Sequence, residues 1–170
     1  MTDDKKPAET AAYLLRGNYD TGTLEDELRV NRLCKQLLKQ FHRHLLDVLQ
    51  LDPLEAGEQA AGADYFLLDF MIDNQRANIF AGSAQYLRKF AGNWYIVNNL
   101  EPNSDELQVM LAGTANFYRY CAELTLINLE SAEQIAATCR QIDYYQQRIE
   151  VFLDISGDGY IAWDQECPLK

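Results

Sequence analysis

The side chains best suited to chemistry lie near the end of the chain, in Asp154-Ile-Ser-Gly-Asp-Gly-Tyr-Ile-Ala-Trp-Asp-Gln-Glu166. Asp154, Ser156 and Asp158 place oxygen atoms at alternate positions, the Tyr160 carbonyl continues the series, and Glu166 lies within reach of a distorted loop. Alternating oxygens suit a hard cation such as Ca²⁺, and Gly159 permits the sharp turn that wrapping one demands. A second candidate is the acidic pair Asp69 and Asp73, four residues apart in an apolar stretch. On a helix that spacing puts both carboxylates on one face, where they can hold Mg²⁺ or work as an acid/base pair. The competing structural reading pairs them with Arg76, Arg88 or Lys89, because buried carboxylates need such partners.

Read from Asp154, the terminal spacing resembles the calcium loop of EF-hand and dockerin-type modules, with Gly159 at position 6 and Ile161 at position 8. The resemblance covers this segment alone. It departs from the pattern at position 3, which is Ser156, and at position 12, where Gln165 replaces the bidentate glutamate. Pro168 also arrives too soon for a helix to come after the loop. The alternative is a turn. Gly157-Asp158-Gly159 tolerates positive φ, and the β-branched and aromatic flanks suit a short hairpin. A non-helical tail, turn or hairpin, is therefore the expectation, with the calcium loop as its rival.

Other reaction types find little support. His42 and His44 sit at i, i+2, on different helix faces, so they do not share a metal and are read as solvated or cap-region residues. No E-x-x-H, H-E-x-x-H, G-x-S-x-G or phosphate-binding glycine loop occurs. Cys34, Cys121 and Cys139 fall on apolar helical stripes as small hydrophobes, and Cys167 lies near an end expected to be exposed. The tract Tyr144-Tyr-Gln-Gln147 reads as a core edge, with a partner-binding edge as the alternative.

The net charge of −11 excludes a polynucleotide or anionic membrane as the main partner, since both need a concentrated basic surface. Residues 23–50 carry five bases against four acids, whereas residues 51–82 carry six acids against Arg76 alone. That juxtaposition favours internal pairing over a nucleic-acid track. No uninterrupted apolar run approaches membrane-spanning length, and the first residues lack the apolar core of a secretory signal. A cytoplasmic protein is expected.

The elements that must position these groups are helices. A flexible arm over residues 1–20 is expected, with Tyr13-Leu-Leu15 able to dock on the body, and then a single helical domain over 21–170. Thr23 caps a first helix reaching Gln50, with Leu24, Leu28, Leu33, Leu37, Leu38, Phe41, Leu45, Val48 and Leu49 recurring at helical spacing. Asp52-Pro53 opens a second, weakened early by Gly57 and Gly62, whose run 65–72 is apolar enough to be buried on more than one face. Ser83 caps a third, Ser104-Asp-Glu106 opens a fourth, and Asn128 or Ser131 caps a fifth that runs to about Leu153. The expected fold is all-α, a bundle of about five helices. The expected function is non-catalytic, acting through a protein partner or homo-oligomerisation. The alternatives are a calcium-binding module and a magnesium-dependent enzyme.

Overall fold

Thr23 starts the architecture as its chemistry predicts. In the computed structural model, which describes residues 10–167, its hydroxyl accepts from the Asp26 N–H at 3.1 Å. The Asp26 carboxylate accepts in return from the Thr23 N–H at 3.0 Å, which closes a capping box. Helix α1 (Leu24–Asp47) then buries Val30, Leu33, Cys34, Leu37, Leu38, Phe41 and Leu45. The ends of the expected stripe depart from it: Leu24, Leu28, Val48 and Leu49 are exposed. They overhang the body that the middle of the helix packs on.

Asp52 caps α2 (Pro53–Asp64) by accepting from the Leu54 N–H at 2.9 Å, with Pro53 at the first helical position. The rod continues without a break into a ten-residue π-helical stretch, Tyr65–Asn74. Its widened closure is visible where the Gln75 N–H reaches the Phe70 carbonyl, five residues back, at 2.8 Å. Phe66, Leu67, Leu68, Phe70, Met71 and Ile72 are all buried, so the rod is covered on more than one face, as its composition implies.

A third rod repeats the device. Helix α3 (Ser83–Lys89) passes through a π turn, Phe90–Trp94, into the short α4 (Tyr95–Asn98). Gly82, with φ 65°, occupies the cap position expected for Ser83, whose hydroxyl instead donates to the Ile79 carbonyl at 2.8 Å. The two widened stretches meet through their rings. Phe90 lies 5.2 Å from Phe66 and 5.5 Å from Phe70, and Trp94 lies 5.4 Å from Phe70 and 5.5 Å from Tyr65. Tilted and edge-on pairs of this kind add roughly 0.5–1.5 kcal/mol each beyond their burial. They form an aromatic seam through the core.

Helix α5 (Ser104–Glu123), capped by Asn103, crosses α2 at very close range. A Cβ on Gly113 would collide with the Gln59 carbonyl, and one on Gly62 would fall 2.5 Å from the Met110 Cα. Gly62 therefore does more than weaken α2: it admits a neighbouring backbone.

The fifth expected helix is two. Asn128 caps α6 (Leu129–Cys139), and the chain turns at Arg140 and Gln141 into α7 (Ile142–Leu153). The Tyr145 hydroxyl donates to the Thr138 carbonyl at 2.8 Å, adding to the Gln141 N–H that reaches the same acceptor at 3.3 Å and tying α7 to the end of α6. The expected non-helical tail is also corrected: residues 159–166 form α8 (Gly159–Glu166). With α2 and α3–α4 each counted as one rod, seven helical rods replace five, and no strand occurs among the described residues. The all-α class holds.

Of the expected arm, residues 1–9 lie outside the described residues. Beyond them the chain packs on α1 through two 3₁₀ turns, Ala12–Leu14 and Arg16–Tyr19. Tyr19 is fully buried, its hydroxyl donating to the Tyr13 carbonyl at 2.8 Å. Among the described residues no helix is long and apolar enough to cross a membrane.

Candidate functional site

The face of α7 that turns inward carries Tyr145, Arg148 and Ile149, so a lone base occupies an apolar stripe. Arg148 is 5% exposed. Its Nε donates to the Gly92 carbonyl at 2.9 Å and its Nη1 to the Trp163 carbonyl at 2.6 Å. Trp163, 2% exposed, answers by donating its indole N–H to the Arg148 carbonyl at 2.9 Å. The guanidinium lies 3.9 Å from the centroid of the Trp163 ring. Bonds from a charged donor and a desolvated cation–π contact are among the stronger polar interactions, at about 2 kcal/mol each. This reciprocal clasp fixes α8 against α7. It is the physical reason that the tail is helical: Gly157, with φ 63°, reverses the chain, and a helix then delivers Trp163 to Arg148.

Three polar atoms beside the clasp, Arg148 Nη2, the Tyr144 hydroxyl and Arg88 Nε, are buried with no hydrogen-bond partner among the described residues. The Arg88 guanidinium lies 4.7 Å over the Tyr144 ring, so all three belong to one corner. Beside them an open groove of about 420 Å³ runs between α7 and α8. Val151, Ile155, Ala162 and Trp163 supply its apolar lining, and Glu150, Asp154 and Glu166 its acidic one. Leu153, Tyr160 and Ile161 are exposed on the same two elements.

The residues expected to bind calcium lie in this corner. Asp154 ends α7 and Glu166 ends α8, and both line the groove. Ser156 is exposed in the intervening turn, and Asp158 stands at the N-cap of α8 without a side-chain cap bond. Tyr160 lies in the first turn of α8, where helical geometry commits its carbonyl to the N–H four residues on. Among the described residues no group of three or more His, Cys, Asp or Glu side chains is gathered as a metal site.

Asp69 and Asp73 lie exposed on the π stretch. Partial desolvation, then repulsion from Asp73, raises the Asp69 carboxyl above its usual range. Asp64 is raised in the same way, by desolvation and then by Asp69, with Lys35 opposing. Asp69 stands at i+5 from Asp64, the offset that a π turn closes, and the two interact, so the expected pair is a row of three. The bases expected to neutralise it are engaged elsewhere. Arg76 pairs with Glu27 at 3.2 Å, Lys89 donates to Gln75 at 3.1 Å, and Arg88 covers Tyr144.

His44 is less solvated than its sequence context implies. Its side chain is 10% exposed, 3.9 Å from Glu123, with its ring 4.7 Å from that of Tyr120. All four cysteines are free and buried, Cys167 included, against the expectation of an exposed end. Desolvation raises the Cys34 and Cys121 thiols and pushes Cys139 up to about 12, which suits inert core thiols.

Comparison with protein-family models, with curated proteins and with solved structures returned no match.

Proposed function

We propose that this chain is a non-catalytic helical protein that acts by binding another protein, and that the groove between α7 and α8 receives a basic amphipathic segment of that partner. The supporting observation is the groove itself: an apolar floor of Val151, Ile155 and Ala162 with Glu150, Asp154 and Glu166 along its sides. Apolar residues of a partner helix would fill the floor while its lysines or arginines meet the carboxylates, the arrangement used by helix-in-groove recognition. The net charge of −11 steers a basic partner towards the surface and repels a second acidic copy. A labelled helical peptide of leucines and lysines is a direct probe. Binding should be saturable, weaken with salt, and fall about tenfold or more in Glu150→Lys/Asp154→Lys. A peptide that binds the variant equally well would defeat the reading. A native mass showing a dimer, with the groove protected in it, would transfer the site to self-association.

Calcium binding is the second reading, favoured by Asp154 and Glu166 reaching one groove from opposite ends of the oxygen-bearing stretch. Its signature is a saturable calorimetric titration of metal-stripped protein that disappears in Asp158→Ala. Absence of heat up to millimolar calcium would reject it, because even weak calcium modules bind by then.

A further inference from the structure

Arg148 is a full positive charge taken out of water. Its described neighbours solvate that charge without neutralising it: two neutral carbonyls accept from Nε and Nη1, and an indole ring lies beneath. Arg148 forms no ion pair with the described residues. An uncompensated buried cation is costly, and a buried donor without a partner adds to the cost. Four residues earlier on the same face of α7, the Tyr144 hydroxyl is buried and equally without a partner among the described residues. Arg88, stacked on the Tyr144 ring, brings a second positive charge to the spot. Arg148 and Tyr144 line one small cavity of about 160 Å³, which Gln147, Val151 and Glu166 complete.

The geometry points to a binding site for a small oxyanion, a carboxylate or phosphate group, held by Arg148 Nη2 and the Tyr144 hydroxyl at the end of the α7–α8 groove. A guanidinium and a phenol both donate, neither requires deprotonation, and their joint target is an acceptor with at least two oxygens. Both donors are closed to solvent, so the ligand enters by displacing Gln147 and Glu166, which are exposed. Glu166 repels the incoming charge and sets a threshold: only a group that meets the buried donors gains enough to enter. The site stands whether or not a partner occupies the adjoining groove.

Tyr144→Phe is the decisive variant, because it keeps the ring beneath Arg88 and removes only a hydroxyl that has no partner among the described residues. It should fold with unchanged or slightly higher stability in chloride buffer. The full chain, labelled with ¹⁵N, is titrated with sodium acetate and separately with sodium phosphate, against sodium chloride at equal ionic strength. The Arg148 Nε–H and Trp163 indole N–H resonances should shift saturably with one or both oxyanions and not with chloride. In Tyr144→Phe the same shifts should require about tenfold more oxyanion, and in Glu166→Gln less than in the native chain. Response to acetate alone assigns a carboxylate, and response to phosphate alone a phosphate group. Equal affinity in the native chain and Tyr144→Phe, or shifts that track ionic strength in any salt, would overturn the proposal.

Discussion

The aromatic seam and the C-terminal corner are both built from buried rings, yet they treat polar atoms in opposite ways. At the seam's edge two phenols are engaged: Tyr95 donates to the Asn103 carbonyl at 3.2 Å, and Tyr65 accepts from Asn99 at 3.3 Å. Desolvation pushes the Tyr95 phenol up to about 12, consistent with a hydroxyl that stays neutral and bonded. At the corner, the Tyr144 hydroxyl and one buried nitrogen each of Arg88 and Arg148 have no partner among the described residues. The rings of the seam stabilise the fold and are complete in themselves. The rings of the corner hold cations in place, and their polar complement is unfinished. Satisfied polar chemistry marks structure, and at the unsatisfied corner the proposed oxyanion would complete the set.

Truncation separates the two regions. Phe66 meets Phe70, Phe90 and Tyr118, so Phe66→Ala should cost about 3–5 kcal/mol and act on the whole molecule. Urea unfolding monitored by far-ultraviolet circular dichroism and by tryptophan fluorescence should shift together. Trp163→Ala removes a ring as deeply buried, but from an eight-residue helix docked chiefly on α7 that can open alone, which caps the global loss at about 2–3 kcal/mol. Amide exchange should quicken across residues 159–166 and stay slow across 65–74. Equal acceleration in both would make seam and corner one cooperative unit and erase the distinction.

The seam was the more legible region, although not in its detail. The capping box at Thr23, the Asp52-Pro53 start and the Asn128 cap are local chemistry, and each forms as its residues imply. Burial of the apolar residues between 66 and 72 stems from composition. The π closure does not, because nearly every position there is apolar and no stripe remains whose period could reveal a wider turn. The break at Arg140 and Gln141 is silent for a similar reason: Ile135, Cys139, Ile142, Tyr145 and Ile149 keep helical phase across it, with no glycine or proline to mark it. At the corner, Gly157 announced a turn, but the helix beyond that turn depends on Trp163 meeting Arg148, fifteen residues earlier. Tertiary contact there overrides the β-rich composition of residues 160–163. One signal was available: Arg148 interrupts an apolar stripe, and a base in that position needs a reason.

The smallest expected effect tests a third treatment of polar groups, the acidic row that runs from the end of α2 along the π stretch. Asp64 and Asp69 are both raised above the ordinary aspartate value of 3.8, by desolvation first and by a neighbouring carboxylate second. The folded chain therefore holds these protons more tightly than the unfolded chain. Stability contributed by the row is greatest when both are protonated and declines as pH rises from about 3.8 through their folded values. Asp69→Asn removes the shared charge. Near neutral pH the variant should be more stable by a few tenths of a kcal/mol, the scale of a like-charge pair on a solvated helix face. That advantage should shrink on acidification and vanish below about 3.8, where the native carboxyl is protonated in both states. The Asp64 carboxyl, tracked by NMR titration, should move back towards its ordinary value in the variant. A variant less stable at neutral pH would mean that Asp69 has a cationic partner, and the acidic row would then resemble the satisfied seam more than the unfinished corner.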